Sequence, residues 1–203
     1  MIDINLVCCH GIHMKWLFFS YSLPAEPSKA RVYVWRQLRK LGAVNYQSVW
    51  AIPHSAERLH ELKKLIEDIE KYSGAGLLIA GNILLKGQEE GIIKAFIDSR
   101  NEEYQEIIEK CEDFFKEIEY EIGRQNFIFA EVEENEEELD KLKQWLRKVE
   151  KRDIIKPPLR KTATEKVKKC EKIFEDFAHR VYEHSHAKSK AAKEEDIEAE
   201  TGK

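Results

Sequence analysis

The segment SKARVYVWRQLRKL, residues 28–41, contains five basic residues and no acidic one, in a chain whose acids outnumber its bases. Four of its side chains recur at the spacing i, i+4, i+7 and i+11, which places them on one face of a helix: Lys29, Tyr33, Arg36 and Lys40. Arg39 falls beside this stripe. Rows of lysine and arginine on one helix face neutralise phosphate backbones, so the pattern predicts a nucleic-acid contact. The alternative is a solvated helix face, but such faces usually carry charge of both signs.

Two further arginines fall on or near predicted apolar faces. Arg31 lies towards the apolar side of the same helix, and we expect it to tie that helix to a neighbouring segment, because a half-buried arginine needs an acceptor. Arg100 lies within the apolar stripe of a later, longer helix. For Arg100 we expect a structural ion pair with Glu131 or Glu134, and a divalent-metal site at those carboxylates is the less favoured alternative.

Soft metal ligands occur near both ends of the chain, but without the spacing of a zinc site. They are Cys8, Cys9, His10 and His13 near the start, and His179, His184 and His186 near the end. We therefore predict no metal and no other cofactor.

Cys111 and Cys170 occupy apolar positions of helical stripes, which predicts free thiols in a core. The sequence contains no P-loop, GxGxxG, GxSxG or HExxH motif, so we predict that the chain is not an enzyme.

The charge of the chain is segregated along its length, although the net charge is only −4. Residues 15–64 have nine basic and three acidic side chains, whereas residues 101–150 have seven basic and seventeen acidic ones. Residues 151–190 are again basic, with twelve basic and six acidic side chains. Because an acidic block repels phosphates, nucleic acid should be bound by the first fifty or so residues or by the last helix.

Hydrophobic periodicity predicts the elements that would position these residues. Predicted strands cover 15–23, 46–53 and 76–85, and predicted helices cover 28–41 and 56–72. In the first helix, the side chains expected to face the sheet are Val34, Trp35, Leu38 and Leu41. Three amphipathic helical stripes follow, and the FIFAEV run at 127–132 is assigned to a helix beginning near Phe129 rather than to a strand. The predicted class is α+β, a ferredoxin-like β-α-β-α-β sandwich followed by a C-terminal helical bundle or hairpin.

The predicted organisation has four parts. We expect an N-terminal extension at 1–13, a ferredoxin-like domain at 14–86, a helical domain at 87–184 and a disordered charged tail at 185–203. No apolar run is long enough to span a bilayer and the first residues lack the basic n-region of a signal peptide, so we expect a cytoplasmic protein that does not contact membrane.

Several long runs resemble the N-terminal domain of the chromate-resistance regulator ChrB. They are WLFFSYSLPAEPSKARVYVWRQLRKLGAV, QSVWAIP, SRNEEYQEI and FAEVEENEEELDKLKQWLRKVEKRD. The resemblance covers about residues 14–184 and implies a bacterial transcriptional regulator, or its accessory, that binds the promoter of a chromate-resistance operon. In that family a separate C-terminal domain is associated with sensing. We therefore expect this chain to lack that domain and to pair with a separately encoded chromate-sensing domain. From the predicted elements we also expect a homodimer, formed through strand edges or through the long helix.

A fainter resemblance links the first strand, the arginine-containing helix and the Gln-Ser-Val-aromatic run to small CRISPR-associated nucleases and to phenylacetate-operon repressors. Those nucleases hold a metal with an aspartate directly after the tyrosine of the first strand, whereas Tyr21 here is followed by Ser22. The alternatives to a DNA-binding regulator are a metal-dependent nuclease relative, a thiol-dependent oxyanion reductase and a non-catalytic interaction module. The missing aspartate counts against the first alternative, and the lack of a Cys-x-x-Cys motif counts against the second.

Overall fold

The computed structural model describes residues 14–26 and 28–201 of the 203-residue chain. Its elements, in chain order, are β1 (Trp16–Ser22), α1 (Ser28–Leu41), β2 (Val44–Tyr46), β3 (Val49–Pro53), α2 (Ala56–Lys71), β4 (Ala75–Gly81), α3 (Lys86–Gly123), α4 (Phe129–Arg152) and α5 (Leu159–Thr201). The predicted α+β class is confirmed. The described residues form one antiparallel sheet of four strands and five helices.

The strands are arranged in the order β2-β3-β1-β4, and every neighbouring pair is antiparallel. The aromatic strand β1 lies in the middle, where Leu17 is opposite Ile52 of β3 on one side and Ala80 of β4 on the other. Strand β4 is at one edge and pairs with β1 along all seven of its residues. The three-residue strand β2 forms the other edge.

The single strand predicted for residues 46–53 is wrong, because the chain forms a hairpin there. Tyr46 ends β2 and pairs with Val49 at the start of β3, so Gln47 and Ser48 form a two-residue turn. Gln47 has a φ of 58°. A positive φ at the first central residue is typical of the tight turns whose twist matches that of paired strands. The alternation of side chains continues through the turn, which is why the sequence reads as one uninterrupted strand.

The chain folds into two compact units. The first unit runs to Arg100 and also includes Lys151–Pro157, so it takes in the first part of α3 as well as the predicted 14–86 domain. Helices pack on both faces of its sheet, and the side chains of β1 alternate between the two faces. Leu17 and Phe19 pack with residues of α1 and α2, whereas Trp16 packs with Ile93 and Phe96 of α3.

Helix α1 packs on the sheet through a narrow stripe made of Ala30, Val34 and Leu38. Trp35, which we expected in this core, is instead 49% exposed. Consecutive helical residues are separated by about 100° around the axis, so a residue next to Val34 can lie at either margin of the buried stripe. In this helix the sheet lies on the side that leaves Trp35 in solvent.

The second unit comprises the remainder of α3 together with α4 and α5, whose apolar stripes form one core. Cys111 and Cys170 are buried free thiols in that core, which confirms their prediction as core residues. Helix α4 begins at Phe129, as expected. Helix α5 continues to Thr201, in contrast to the disorder expected from residue 185 onward. Its last part is rich in alanine, lysine and glutamate, which have high helix propensity.

None of the helices in the described part of the chain has an apolar stretch long enough to cross a membrane.

Candidate nucleic-acid interface

The basic residues lie on helix α1, whose two ends follow from local sequence signals. The helix begins at Ser28 and ends at Leu41, after which Gly42 takes a φ of 85°. The Gly42 N–H donates to the Arg39 carbonyl and the Ala43 N–H donates to the Leu38 carbonyl, both at 3.0 Å. These two bonds satisfy carbonyls that a helix end leaves without partners, so they end α1 at Leu41.

Four basic side chains of α1 are exposed, namely Lys29, Arg31, Arg36 and Lys40. Lys29 and Arg36 line one shallow depression with Val32, and none of the residues that line it is acidic. Lys40 lines a neighbouring depression, which shares Tyr33 and Gln37 with the first. The other charged residues of this second depression are Lys64, Glu61 and Asp68 of α2. The flank around Lys29 and Arg36 is therefore more positive than the flank that borders α2.

Arg39 is half-buried and is fixed by contacts within the first unit. Its Nη1 donates a hydrogen bond to Ser99 Oγ at 3.2 Å. Its guanidinium carbon lies 5.8 Å from the centre of the Trp35 ring, within the range of a cation–π contact. The contact orients the exposed indole and places a positive charge beside it.

Tyr33, predicted on the exposed stripe, is half-buried and joins α1 to α2. Its hydroxyl donates to Asp68 Oδ2 at 2.7 Å, and Lys71 Nζ donates to Asp68 Oδ1 at 2.8 Å. The hydrogen bonds from Lys71 and Tyr33 hold the pKa of Asp68 below its ordinary value. The bond to Asp68 raises the pKa of Tyr33. The Tyr33 hydroxyl is thus engaged within the protein rather than free for a ligand.

Sequence spacing missed Trp35 as a surface residue. Together with Val32, which is also exposed, Trp35 places an apolar patch among the cations of α1. Cations around an exposed aromatic ring form the combination with which proteins hold nucleic-acid strands, by charge on the backbone and by stacking on bases. The only sequence signal for this surface is the position of Trp35 one residue beyond the buried stripe.

Comparison with known proteins assigns the chain to a family. The family model described as "Protein ChrB, N-terminal" matches residues 31–188. The chain belongs to this family. The resemblance to ChrB is therefore confirmed, and the chain carries a domain associated with chromate-resistance regulators. No curated protein and no solved structure matches the chain.

Arg31 of this ChrB-family domain is exposed, so the expectation of a half-buried arginine is wrong. Its Nη2 donates to the Ala25 carbonyl at 2.8 Å, which ties α1 to the segment before it. Arg31 also acts on Tyr21, because its positive charge opposes the rise in the Tyr21 pKa that burial causes. The exposed guanidinium adds a further positive charge to the surface of α1.

Arg100 is buried, as its place in the apolar stripe predicts, and its Nη2 donates to Ser99 Oγ at 3.2 Å. Of its two proposed partners, Glu134 is exposed and Glu131 is half-buried. Glu131 Oε1 accepts a hydrogen bond from Asn126 Nδ2 at 3.1 Å. The ion pair between Arg100 and these glutamates stays a prediction.

Metal-ligand clusters are absent from the part of the ChrB-family chain that the structure describes. Cys8, Cys9, His10 and His13 lie outside the described residues. His179 Nε2 is 3.3 Å from Glu183 Oε1 on the same exposed helix face, and the His184 ring contacts Phe127. These histidines make ordinary helix and packing contacts.

Proposed function

We propose that this ChrB-family domain is a DNA-binding regulator, or regulatory accessory, of chromate resistance, and that α1 is its DNA-contacting element. The observation that carries the proposal is the surface of α1. The helix exposes four cations together with Val32 and Trp35, and it contains no acidic residue.

The chemistry of this surface suits a phosphate backbone. Each phosphate neutralised by a lysine or arginine releases condensed counterions, which supplies most of the affinity for DNA that does not depend on sequence. Lys29 and Arg36 are seven residues, or about two helical turns, apart and so lie on the same side of α1, where both can contact phosphates of one backbone. Trp35 can pack against sugars or an unstacked base beside them.

The distribution of charge supports the same surface. Residues 101–150, in the second unit, contain seventeen acidic and seven basic side chains and would repel a phosphate backbone. The first unit holds α1 and is basic over residues 15–64. Charge therefore favours an approach of DNA to the first unit.

The order and direction of the strands support a ferredoxin-like assignment for the first unit. The elements β1-α1-β2-β3-α2-β4 form a β-α-β-β-α-β sequence, and the sheet is antiparallel with β1 and β3 in its centre. We also propose that the domain acts by binding rather than by catalysis. Ser22, at the position where related nucleases have a metal-holding aspartate, offers a hydroxyl in place of a carboxylate.

The test is a fluorescence-anisotropy titration of the operon's own promoter over a series of salt concentrations. The double variant Lys29→Gln/Arg36→Gln should lower the slope of log affinity against log salt by about two, since each phosphate contact contributes about one. Lys110→Gln/Lys116→Gln removes the same charge from exposed positions of α3 in the second unit and should leave the slope nearly unchanged.

A further variant separates the aromatic contribution from the ionic one. Trp35→Ala should weaken binding at every salt concentration without changing the slope, because stacking does not release counterions. If the α1 double variant and the control double variant had equal slopes, the proposed role of α1 would be refuted. The absence of any binding by micromolar protein at low salt would refute DNA binding itself and favour the interaction module.

A further inference from the structure

Strand β4 is an edge strand without the features that normally protect an edge. Its sequence is AGLLIAG, with no charged residue and no proline, and among the described residues it pairs only with β1. Its outer backbone N–H and C=O groups thus form a template for another strand. Natural sheets usually block such an edge with lysine, proline, a bulge or a very short strand.

The other edge of the same sheet is protected in one of these ways. Strand β2 has only three residues, Val44–Tyr46, whereas β4 has seven. The two edge strands therefore differ in length, and β4 is the edge that is long enough to pair with a strand of another chain.

The face of β4 next to this edge is apolar and exposed. Leu77 and Ile79 are 58% and 50% exposed, and they line a groove of about 560 Å³ that continues to Leu84 and Leu85. Leu84 is 93% exposed. None of the thirteen residues that line the groove is charged, although charged residues make up 35% of the chain. Exposed apolar patches of this kind mark interaction sites.

We infer that β4 is the interface through which two copies of this chain pair, edge to edge and antiparallel, so that two four-stranded sheets become one. An uncharged strand is complementary to a second copy of itself, and a two-fold axis closes the assembly at two chains. With the axis at Leu78, Leu77 of one chain lies opposite Ile79 of the partner subunit. Both apolar pairs then lie on the same face and reduce the exposed area of the groove.

Side-chain size on the opposite face permits this pairing. Gly76 and Ala80 flank Leu78 and share its face, and both are small. No bulky or charged group in β4 would separate the two backbones. The inference is independent of DNA binding, because it depends only on the edge and the face of β4.

The experiment measures the mass of the full chain in solution by light scattering and sedimentation, without DNA. The wild-type chain should be a dimer. Leu77→Lys/Ile79→Lys and Leu77→Glu/Ile79→Glu should each be monomeric, because like charges would then lie directly opposite one another. An equimolar mixture of the two variants should form a heterodimer, since each lysine would then face a glutamate.

The mixture also shows that loss of the dimer is not loss of the fold, because an unfolded variant would not be restored by its oppositely charged counterpart. The matched control Ile128→Lys/Tyr182→Lys places two lysines at exposed apolar positions of the second unit and should remain dimeric. A wild-type chain that is monomeric up to roughly 0.1 mM would overturn the inference. Charge variants that remain dimeric would also overturn the inference. A chain that becomes dimeric only when residues 2–13 are deleted would overturn it as well, since that segment would then be the occupant of the edge.

Discussion

At the scale of single residues, Tyr33 shows how a side chain on a basic helix can be structural. Its hydroxyl bonds to Asp68 across the two helices that cover one face of the sheet, and Lys71 bonds to the same carboxylate. Spacing alone placed Tyr33 with Lys29, Arg36 and Lys40. The structure gives Tyr33 a partner on α2, and that partner lies 35 residues away in the chain.

The pH dependence of stability should reveal this bond. The pKa of Asp68 in the folded protein is below its ordinary value of 3.8, so its bonds stabilise the fold above that pH, and the stabilisation is lost as the pH falls through the folded pKa. Tyr33→Phe should lower the free energy of unfolding by about 0.5 kcal/mol at pH 7, a small value because the site is partly exposed. In urea titrations the difference from wild type should disappear below the pKa of Asp68.

The control for this measurement is Tyr72→Phe, which removes a hydroxyl from an exposed tyrosine at the end of α2. That change should have little effect at either pH. A Tyr33→Phe difference that remained the same at pH 7 and in strong acid would contradict the role of Asp68 as the acceptor.

At the scale of elements, the end of α1 depends on one glycine. Gly42 has a φ of 85°, and a Cβ at this position would lie 3.1 Å from Arg152 Cβ. Gly42→Ala should therefore lower the free energy of unfolding by about 1–2 kcal/mol, measured by urea denaturation, because an L side chain disfavours left-handed backbone. A Cβ at Gly87, in the first turn of α3, meets nothing within 4 Å. Gly87→Ala should be neutral or stabilising, and an equal loss in both variants would contradict this account.

Local signals in the sequence were sufficient for most elements, and three-dimensional context decided the others. Helix α1 has the predicted bounds, since a serine begins it and a glycine follows it. The turn at Gln47 was missed because it lacks the Asn-Gly or Asp-Gly pair that usually gives a positive φ. The exposure of Trp35 was missed because the rotation of a helix about its axis is set by the sheet beneath it. A sequence periodicity defines that rotation only to within about one residue.

At the scale of the whole molecule, the two units have separate cores, so we expect that stability can be changed without changing the proposed DNA binding. Phe177 is fully buried in the core of the second unit. Phe177→Ala should lower the free energy of unfolding by about 3–5 kcal/mol because it leaves a cavity. At a temperature where the variant remains folded, its DNA affinity should fall little and its salt slope should equal that of the wild type. A reduced slope would mean that the second unit contributes phosphate contacts.

The exposure of Trp35 gives the molecule a built-in optical reporter. Of the four tryptophans, Trp16 and Trp50 are buried and Trp145 is half-buried, so Trp35, at 49% exposure, is the most exposed of them. A water-borne quencher such as iodide or acrylamide reaches this indole first, and the remaining emission comes from the interior. Any molecule that covers α1 will shield Trp35 from the quencher. Occupancy of this helix can therefore be followed in the unlabelled wild-type protein, residue-specifically and in real time.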